Sequence, residues 1–253
     1  MYFIGNALSD VGRIKKVNQD SLLLKAFEID NDPMCLAVVC DGVGGLYKGE
    51  LASATVIRGF EQWFEQFISD ENIRIDNIFE EWEQLVTSLN QEICEYGIEI
   101  DKRMGTTVVA ALFYIDKVYV ANVGDSRLYK IKDRKVSQIT VDQTVVQYQL
   151  SQGMITEEQA ANDPMSSVLL QSVGSDEHIQ VDFYSESIQK NDRYLLCSDG
   201  FRHFLSEEEM GVWLSHERNK NGSDIRDNLA ALIDLNKKRG EKDNISAILV
   251  GVE

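Results

Sequence analysis

Apolar residues recur along this chain with two periods, and each change of period marks a new element. Apolar runs at 2–8, 21–27 and 36–40 are short, bounded by polar turns, and read as strands. From Ala52 the spacing lengthens to steps of three and four: Ala52, Val56, Phe60, Trp63, Phe64 and Phe67 fall on one helical face. Ile78, Trp82, Leu85, Leu89, Ile93 and Tyr96 repeat that period, so a second helix is expected over about 74–97. Aromatics at this spacing belong to a core rather than to a cofactor box. Strand-like runs return at 106–114, 118–123, 127–131 and 136–140, separated by short polar turns, as in a β-meander. Residues 142–176 break the pattern. They are polar and hold one expected short helix, 156–161, where Thr156 and Gln159 form a capping-box signature. An insert of this length between strands of a compact domain points to function. Strands resume at 179–184 and 193–197. A helix then starts at Ser206, with Glu207, Glu208 and Glu209 in the turn where the helix dipole favours them. A last helix over 224–239 stops at Gly240 and precedes a strand at 245–250.

This order is not the βαβα alternation of a doubly wound parallel sheet. It predicts an α+β fold, antiparallel sheets with helices covering their outer faces. The 253 residues include only 2 prolines and no Ser- or Gly-rich linker, so residues 1–253 are expected to form one domain with a flap-like insert at about 142–176. Hydrophobic and charged fractions of 43% and 26% are those of an ordinary globular protein. No apolar run approaches the ~20 residues of a membrane helix. The first residues lack the basic start and long apolar core of a signal peptide, so a cytoplasmic protein without a membrane partner is expected. A net charge of −17 argues against a nucleic-acid partner, which calls for a basic surface, and concentrates cations around the molecule. The cysteines show no C-x-x-C spacing, and Cys40 and Cys197 sit inside apolar runs where strand packing is their expected role.

The candidate chemistry lies at the ends of the strands. Leu36 to Cys40 runs into Asp41-Gly42, and Tyr194 to Cys197 into Ser198-Asp199-Gly200. Val118 to Val123 leads into Gly124-Asp125-Ser126-Arg127, and Asp243-Asn244 stands just ahead of the final strand. Each apolar run delivers a carboxylate at its end. Carboxylates brought together in this way repel one another and resist desolvation unless hard cations neutralise them. The pattern therefore reads as the scaffold of a multi-carboxylate metal site.

In motif order the chain resembles the metal-dependent Ser/Thr protein phosphatases of the protein phosphatase 2C family, in their bacterial branch. Ser9-Asp10-Val11-Gly12 with Asn18-Gln19-Asp20, Asp41-Gly42-Val43-Gly44-Gly45 with Gly49-Glu50, Gly105-Thr106-Thr107, Gly124-Asp125-Ser126-Arg127, Ser198-Asp199-Gly200 and Asp243-Asn244 carry the resemblance, nearly end to end. It implies a central antiparallel β-sandwich flanked by helices on both faces, in four layers. It implies hydrolysis of phosphoserine and phosphothreonine on proteins by a metal-activated water. Catalytic Asp41, Asp199 and Asp243, with the Gly42 carbonyl, would hold two Mg²⁺ or Mn²⁺ ions. Asp20 would act through coordinated water, and Asp125 with Asp199 would hold a third, looser ion. Partners would be phosphorylated proteins, a Ser/Thr kinase or a phosphorylated regulator, met by a monomer. Lys15 stands where the family usually has a phosphate-binding Arg, and offers a point charge instead of a fork. Val43 follows the Asp-Gly pair where many animal members have His, and Arg127 is expected to orient Asp125. The alternative is a catalytically weak phosphoprotein-binding regulator of the same fold. The complete acid set opposes it.

Overall fold

The computed structural model describes residues 1–29, 32–70, 74–161 and 163–253. Along the chain run β1 (Phe3–Asp10), β2 (Ser21–Ile29), β3 (Asp32–Cys40), α1 (Gly49–Ser69) and α2 (Ile78–Glu99). The meander β4 (Val108–Tyr114), β5 (Lys117–Val123), β6 (Arg127–Lys132) and β7 (Lys135–Gln138) follows. Two short helices, α3 (Val145–Ser151) and α4 (Glu157–Ala161), occupy the insert. Then come β8 (Asp182–Ser187), β9 (Arg193–Cys197), α5 (Asp199–Arg202), α6 (Glu207–Trp213), α7 (Gly222–Arg239) and β10 (Ile245–Val252).

The strands form two antiparallel sheets, ordered β1-β10-β9-β6-β7 and β2-β3-β4-β5-β8. Side-chain alternation along single strands explains why they stack in the middle of the protein. On β3, Met34, Leu36, Val38 and Cys40 pack under α1 and α2, while Cys35, Ala37 and Val39 face the other sheet. On β10, Ile248, Val250 and Val252 face between the sheets, and Ile245, Ala247 and Leu249 pack under α7. Strands buried on both faces read as continuous apolar runs. The result is a helix, sheet, sheet, helix sandwich with three apolar layers, as the expected α+β class requires. Each fully buried Val, Leu or Phe contributes roughly 1.5–3 kcal/mol to holding the layers together.

The helices keep their sequence signatures. α1 buries Ala52, Val56, Phe60, Phe64 and Phe67, and Trp82 of α2 meets Phe60 edge-on at 5.6 Å. Ser206 and Glu209 close a capping box on α6, and α7 ends at Gly240 in the left-handed region. Thr156 and Gln159 cap α4 as expected, through bonds of 2.9 and 3.3 Å. Most boundaries shift by one to four residues from the sequence reading, and two of the shifts have a visible physical cause. The strand expected at 179–184 is β8, Asp182–Ser187, because Ile179 and Val181 pack into the α1/α2 layer before pairing with β5 begins. β7 ends at Gln138, since Thr140 turns its hydroxyl to Leu128 N at 3.1 Å. Among the described residues, no helix is long and apolar enough to cross a membrane.

Candidate active site

Antiparallel register gathers the acids. Ser21 pairs with Cys40, so the start of β2 lies beside the end of β3. Val39 pairs with Val109 and Val108 with Val123, which brings the end of β5 to the same edge. In the other sheet Cys197 pairs with both Ala247 and Arg127. Residues 20, 41, 125, 199 and 243 all lie just beyond these paired ends, at one end of the sandwich. Two chain crossings close that end: residues 11–20 link β1 to β2, and Gly124 to Ser126 link β5 to β6. Gly124 has φ of 101°, and a Cβ there would stand 2.7 Å from Thr107 Cγ2, so the second crossing depends on glycine.

Beneath the acids lies a belt of hydroxyls. Ser9 Oγ and Ser246 Oγ are 2.7 Å apart, Ser198 Oγ accepts from Ser246 N at 3.1 Å, and Thr107 Oγ1 and Ser126 Oγ are 2.7 Å apart. This polar floor separates the carboxylates from the apolar layer between the sheets. Asp41 N donates to Thr107 Oγ1 at 3.0 Å, and the Asp41 carbonyl accepts from Thr107 N at 2.8 Å and Thr106 Oγ1 at 2.9 Å. Its backbone is thereby pinned while its carboxylate faces the cavity. Gly42 N donates to Gln19 O at 3.1 Å, and a Cβ on Gly42 would lie 2.5 Å from the Gly49 carbonyl carbon. Only glycine lets that loop pass.

Asp41, Asp125, Asp199 and Asp243 line a cavity of about 570 Å³, walled on the other side by Ser167 to Ser172 of the insert. Asp20 lies deeper, 8% exposed, and among the described residues neither of its oxygens has a hydrogen-bond partner of ordinary geometry. Burial pushes its carboxyl up to about 7; the charge of Asp199 adds to the shift, and the hydroxyls of Ser246 and Ser198 oppose it. Asp125 is likewise pushed to about 7, first by burial and then by Asp199, with Arg202 pulling it down. Asp41 is driven well above the carboxylate range by burial and then by Asp20, Asp199, Asp125 and Asp243 in turn. All five candidate acids thus share one electrostatic neighbourhood. Cys40 and Cys197 are buried on helix-facing strand positions, and burial raises both thiols, Cys197 to about 12. Neither is a nucleophile.

Lys15 Nζ stands 3.0 Å from Asp243 Oδ1, and that bond with the fields of Asp41 and Asp199 raises its pKa against the effect of burial. Asn244 ties the loop down: its Oδ1 accepts from Gln19 N at 2.9 Å, and its Nδ2 donates to Val11 O and Val17 O. Arg127 does not pair with Asp125. It grips Asp142 through two bonds of 2.7 and 2.6 Å, and Arg202 is the cation beside Asp125, at 3.6 Å, and also beside Asp142, at 3.5 Å.

Sequence reasoning also missed His203. Its Nε2 lies 3.4 Å from Asp199 Oδ2, one turn away on the helix, and its Nδ1 lies 3.1 Å from Glu241 Oε2. A carboxylate on each ring nitrogen favours the doubly protonated imidazolium, and the Glu241 bond chiefly raises its pKa. The spacing of Asp199 and His203, four residues apart, was the one available signal.

The family described as Protein phosphatase 2C matches residues 13–249. The chain belongs to the protein phosphatase 2C family. The serine/threonine phosphatase stp of Listeria monocytogenes serotype 4b is 34% identical over 249 residues, covering 96% of this chain and 93% of that protein. Serine/threonine phosphatase Stp1 from Staphylococcus aureus superposes with a TM-score of 0.86 at 30% identity, over 98% of this chain and 94% of its own. The catalytic domain of PstP, in a complex with 2 manganese ions, superposes with a TM-score of 0.80 at 27% identity, over 99% of both chains. As a protein phosphatase 2C, this chain combines the family's two-sheet sandwich with a cleft whose acids repel one another strongly.

Proposed function

We propose that residues 1–253 form one Mg²⁺- or Mn²⁺-dependent catalytic domain that hydrolyses phosphoserine and phosphothreonine on proteins. The observation that carries this reading is the set of five mutually repelling carboxylates at one end of the sandwich. The donors suit hard divalent cations, since all are oxygens. The orphaned carboxylate of buried Asp20 asks for a positive partner or its water shell. Among the described residues, no three His, Cys, Asp or Glu side chains stand close enough together to hold a metal ion by themselves. Mg²⁺ does not require such a group, since it binds through one or two carboxylates and keeps several waters.

In this reading Asp41, the Gly42 carbonyl, Asp199 and Asp243 would hold two ions, with Asp20 behind them. The manganese complex of PstP supports that number. A third ion at Asp125 and Asp199 would share its place with the Arg202 guanidinium. Bound ions supply Lewis-acid charge for the phosphoryl group and lower the pKa of an attacking water. The chain's own residues do the rest. Lys15, already held at the acid cluster, would meet the substrate phosphate as a point charge. The insert wall would fix the cavity's far side and limit water, and the Arg127–Asp142 clamp would hold the smaller cavity that adjoins it at Asp125. Val43 has no proton to give, so solvent would protonate the leaving oxygen. His203 would hold the Asp199 carboxylate in place from its unused face.

The test is hydrolysis of p-nitrophenyl phosphate and of a phosphothreonine peptide with Mn²⁺, repeated in excess chelator. Turnover of both with metal and of neither without it is expected. Inactivity toward both across Mg²⁺ and Mn²⁺ would transfer support to the phosphoprotein-binding regulator, which no feature of the geometry favours at present.

A further inference from the structure

We infer that the open groove between the C-terminal end of α2 and residues 174–179 receives substrate polypeptide beside the phosphorylated residue, and that Arg103 there selects an acidic neighbour. This rests on the phosphatase reading above. The groove holds about 870 Å³, more than the acid-lined cavity, and the two adjoin, sharing Arg103 and Ser175 in their walls. Its size is that of clefts that enclose ligands, ~300–1,000 Å³. A substrate chain whose phosphate sits among the acids has this channel open beside it.

The groove wall is a built surface. Asn90, 1% exposed on α2, accepts from Gly174 N at 2.7 Å and donates to Asp176 O at 2.9 Å. Cys94 Sγ donates to Gly174 O at 3.3 Å. These bonds, made by side chains of the groove wall, fix 174–176 against α2. Arg103 is fixed in turn to the loop that follows Asp41. Its carbonyl accepts from Tyr47 N at 2.9 Å, and two residues on, Gly105 O accepts from Val43 N at 2.9 Å.

Among the described residues, the guanidinium is anchored on one edge only. Nη2 donates to Ser175 O at 2.8 Å and lies 4.0 Å from Asp176 Oδ1, while the side chain is 71% exposed. A planar fork held in this way offers its remaining donors to a carboxylate in a set direction. The chain as a whole carries a net charge of −17, so an acidic substrate is repelled at long range. At the cavity rim Arg103, with Lys102 beside it, sets positive charge against that field in a wall that also carries Glu95, Asp101 and Glu177. Lys15 cannot serve both purposes, because it is drawn onto Asp243.

The experiment uses phosphothreonine peptides of one length with Glu, Ala or Lys at each flanking position, assayed with Mn²⁺ beside p-nitrophenyl phosphate. The parent protein should prefer Glu to Lys at one flanking position by roughly tenfold in kcat/KM, the combined scale of an exposed ion pair gained and a like-charge pair avoided. Arg103→Gln should erase that preference, and Arg103→Glu should invert it. An unchanged preference in both variants, or a loss shared equally by p-nitrophenyl phosphate and every peptide, overturns the assignment while leaving the phosphatase reading in place. A parent protein inactive toward all substrates overturns that reading, and the groove assignment falls with it.

Discussion

Replacing Asp20 by Asn should stabilise the metal-free protein and weaken its response to metal. In the unfolded chain this carboxyl ionises near pH 3.9. In the folded, metal-free protein its proton leaves only at about pH 7, because the site is buried and faces Asp199. Between those values the folded state binds the extra proton, so stability falls as pH rises from about 4 to about 7 and then levels off. Taking the change from 3.8 to about 7 at 1.36 kcal/mol for each tenfold, the full deficit is about 4 kcal/mol. Asn keeps the shape and never ionises, so the deficit disappears with it. For a chain of this size that is roughly 8 °C in Tm at pH 8, at about 2 °C per kcal/mol. Thermal unfolding followed by circular dichroism in excess chelator at pH 5, 6.5 and 8 reads the effect. The parent should lose stability across the series and the variant less, since Asp125, also near 7, still titrates. Added Mn²⁺ should raise the Tm of the parent more than that of the variant, because binding to the folded state stabilises it by RT ln(1 + [L]/Kd). A chelated variant less stable than the parent at pH 8, or one with the parent's full pH slope, would refute the claim that Asp20 is an uncompensated buried charge.

Asp41→Ala and Asp199→Ala should each lower kcat on p-nitrophenyl phosphate by ~10²–10³-fold or more, the range seen when one preorganised electrostatic group is lost; near-parental turnover in either would contradict the acid-site reading. Lys15→Ala should raise KM for a phosphoprotein by roughly tenfold, about the 1.4 kcal/mol of a charge-assisted bond, with Lys15→Arg retaining most affinity; steady-state kinetics separate the two. Arg193 is fully buried and donates to Asn219 O and Glu253. Arg193→Ala should cost ~3–5 kcal/mol in urea unfolding by stranding those partners, and a loss under ~1 kcal/mol would mean that the site relaxes.

The fold was legible because the two-faced strands could not be mistaken. β3 and β9 bury both sides, so their apolar runs are unbroken up to the acid that ends each one. The capping box located α4 even though that helix is only five residues long. α3 was not visible, because Val146 is its one buried residue and no apolar face repeats. The strand expected at 179–184 was displaced because Ile179 and Val181 alternate as a strand does, yet spend that alternation on α2.

For the site, the division follows the same physics. A carboxylate at the end of a buried run announces itself, since nothing but a charge partner or a turn explains it there. The groups that surround the acids do not. Arg202 and Asp142 meet only because β6 pairs with β9, and Arg127 turns from its neighbour Asp125 to Asp142 because the insert brings that second acid within 2.6 Å. His203 became a partner of Asp199 through one turn of helix that the sequence pattern did not mark. Arg103 looks like any surface arginine until Asn90 and Cys94, on the helix that precedes it, draw the distant Ser175 up beside it. Residues that would hold metal can therefore be read one strand at a time. Residues that would choose the substrate exist only as contacts between segments, and their test is charge reversal at Arg103 rather than deletion of any acid.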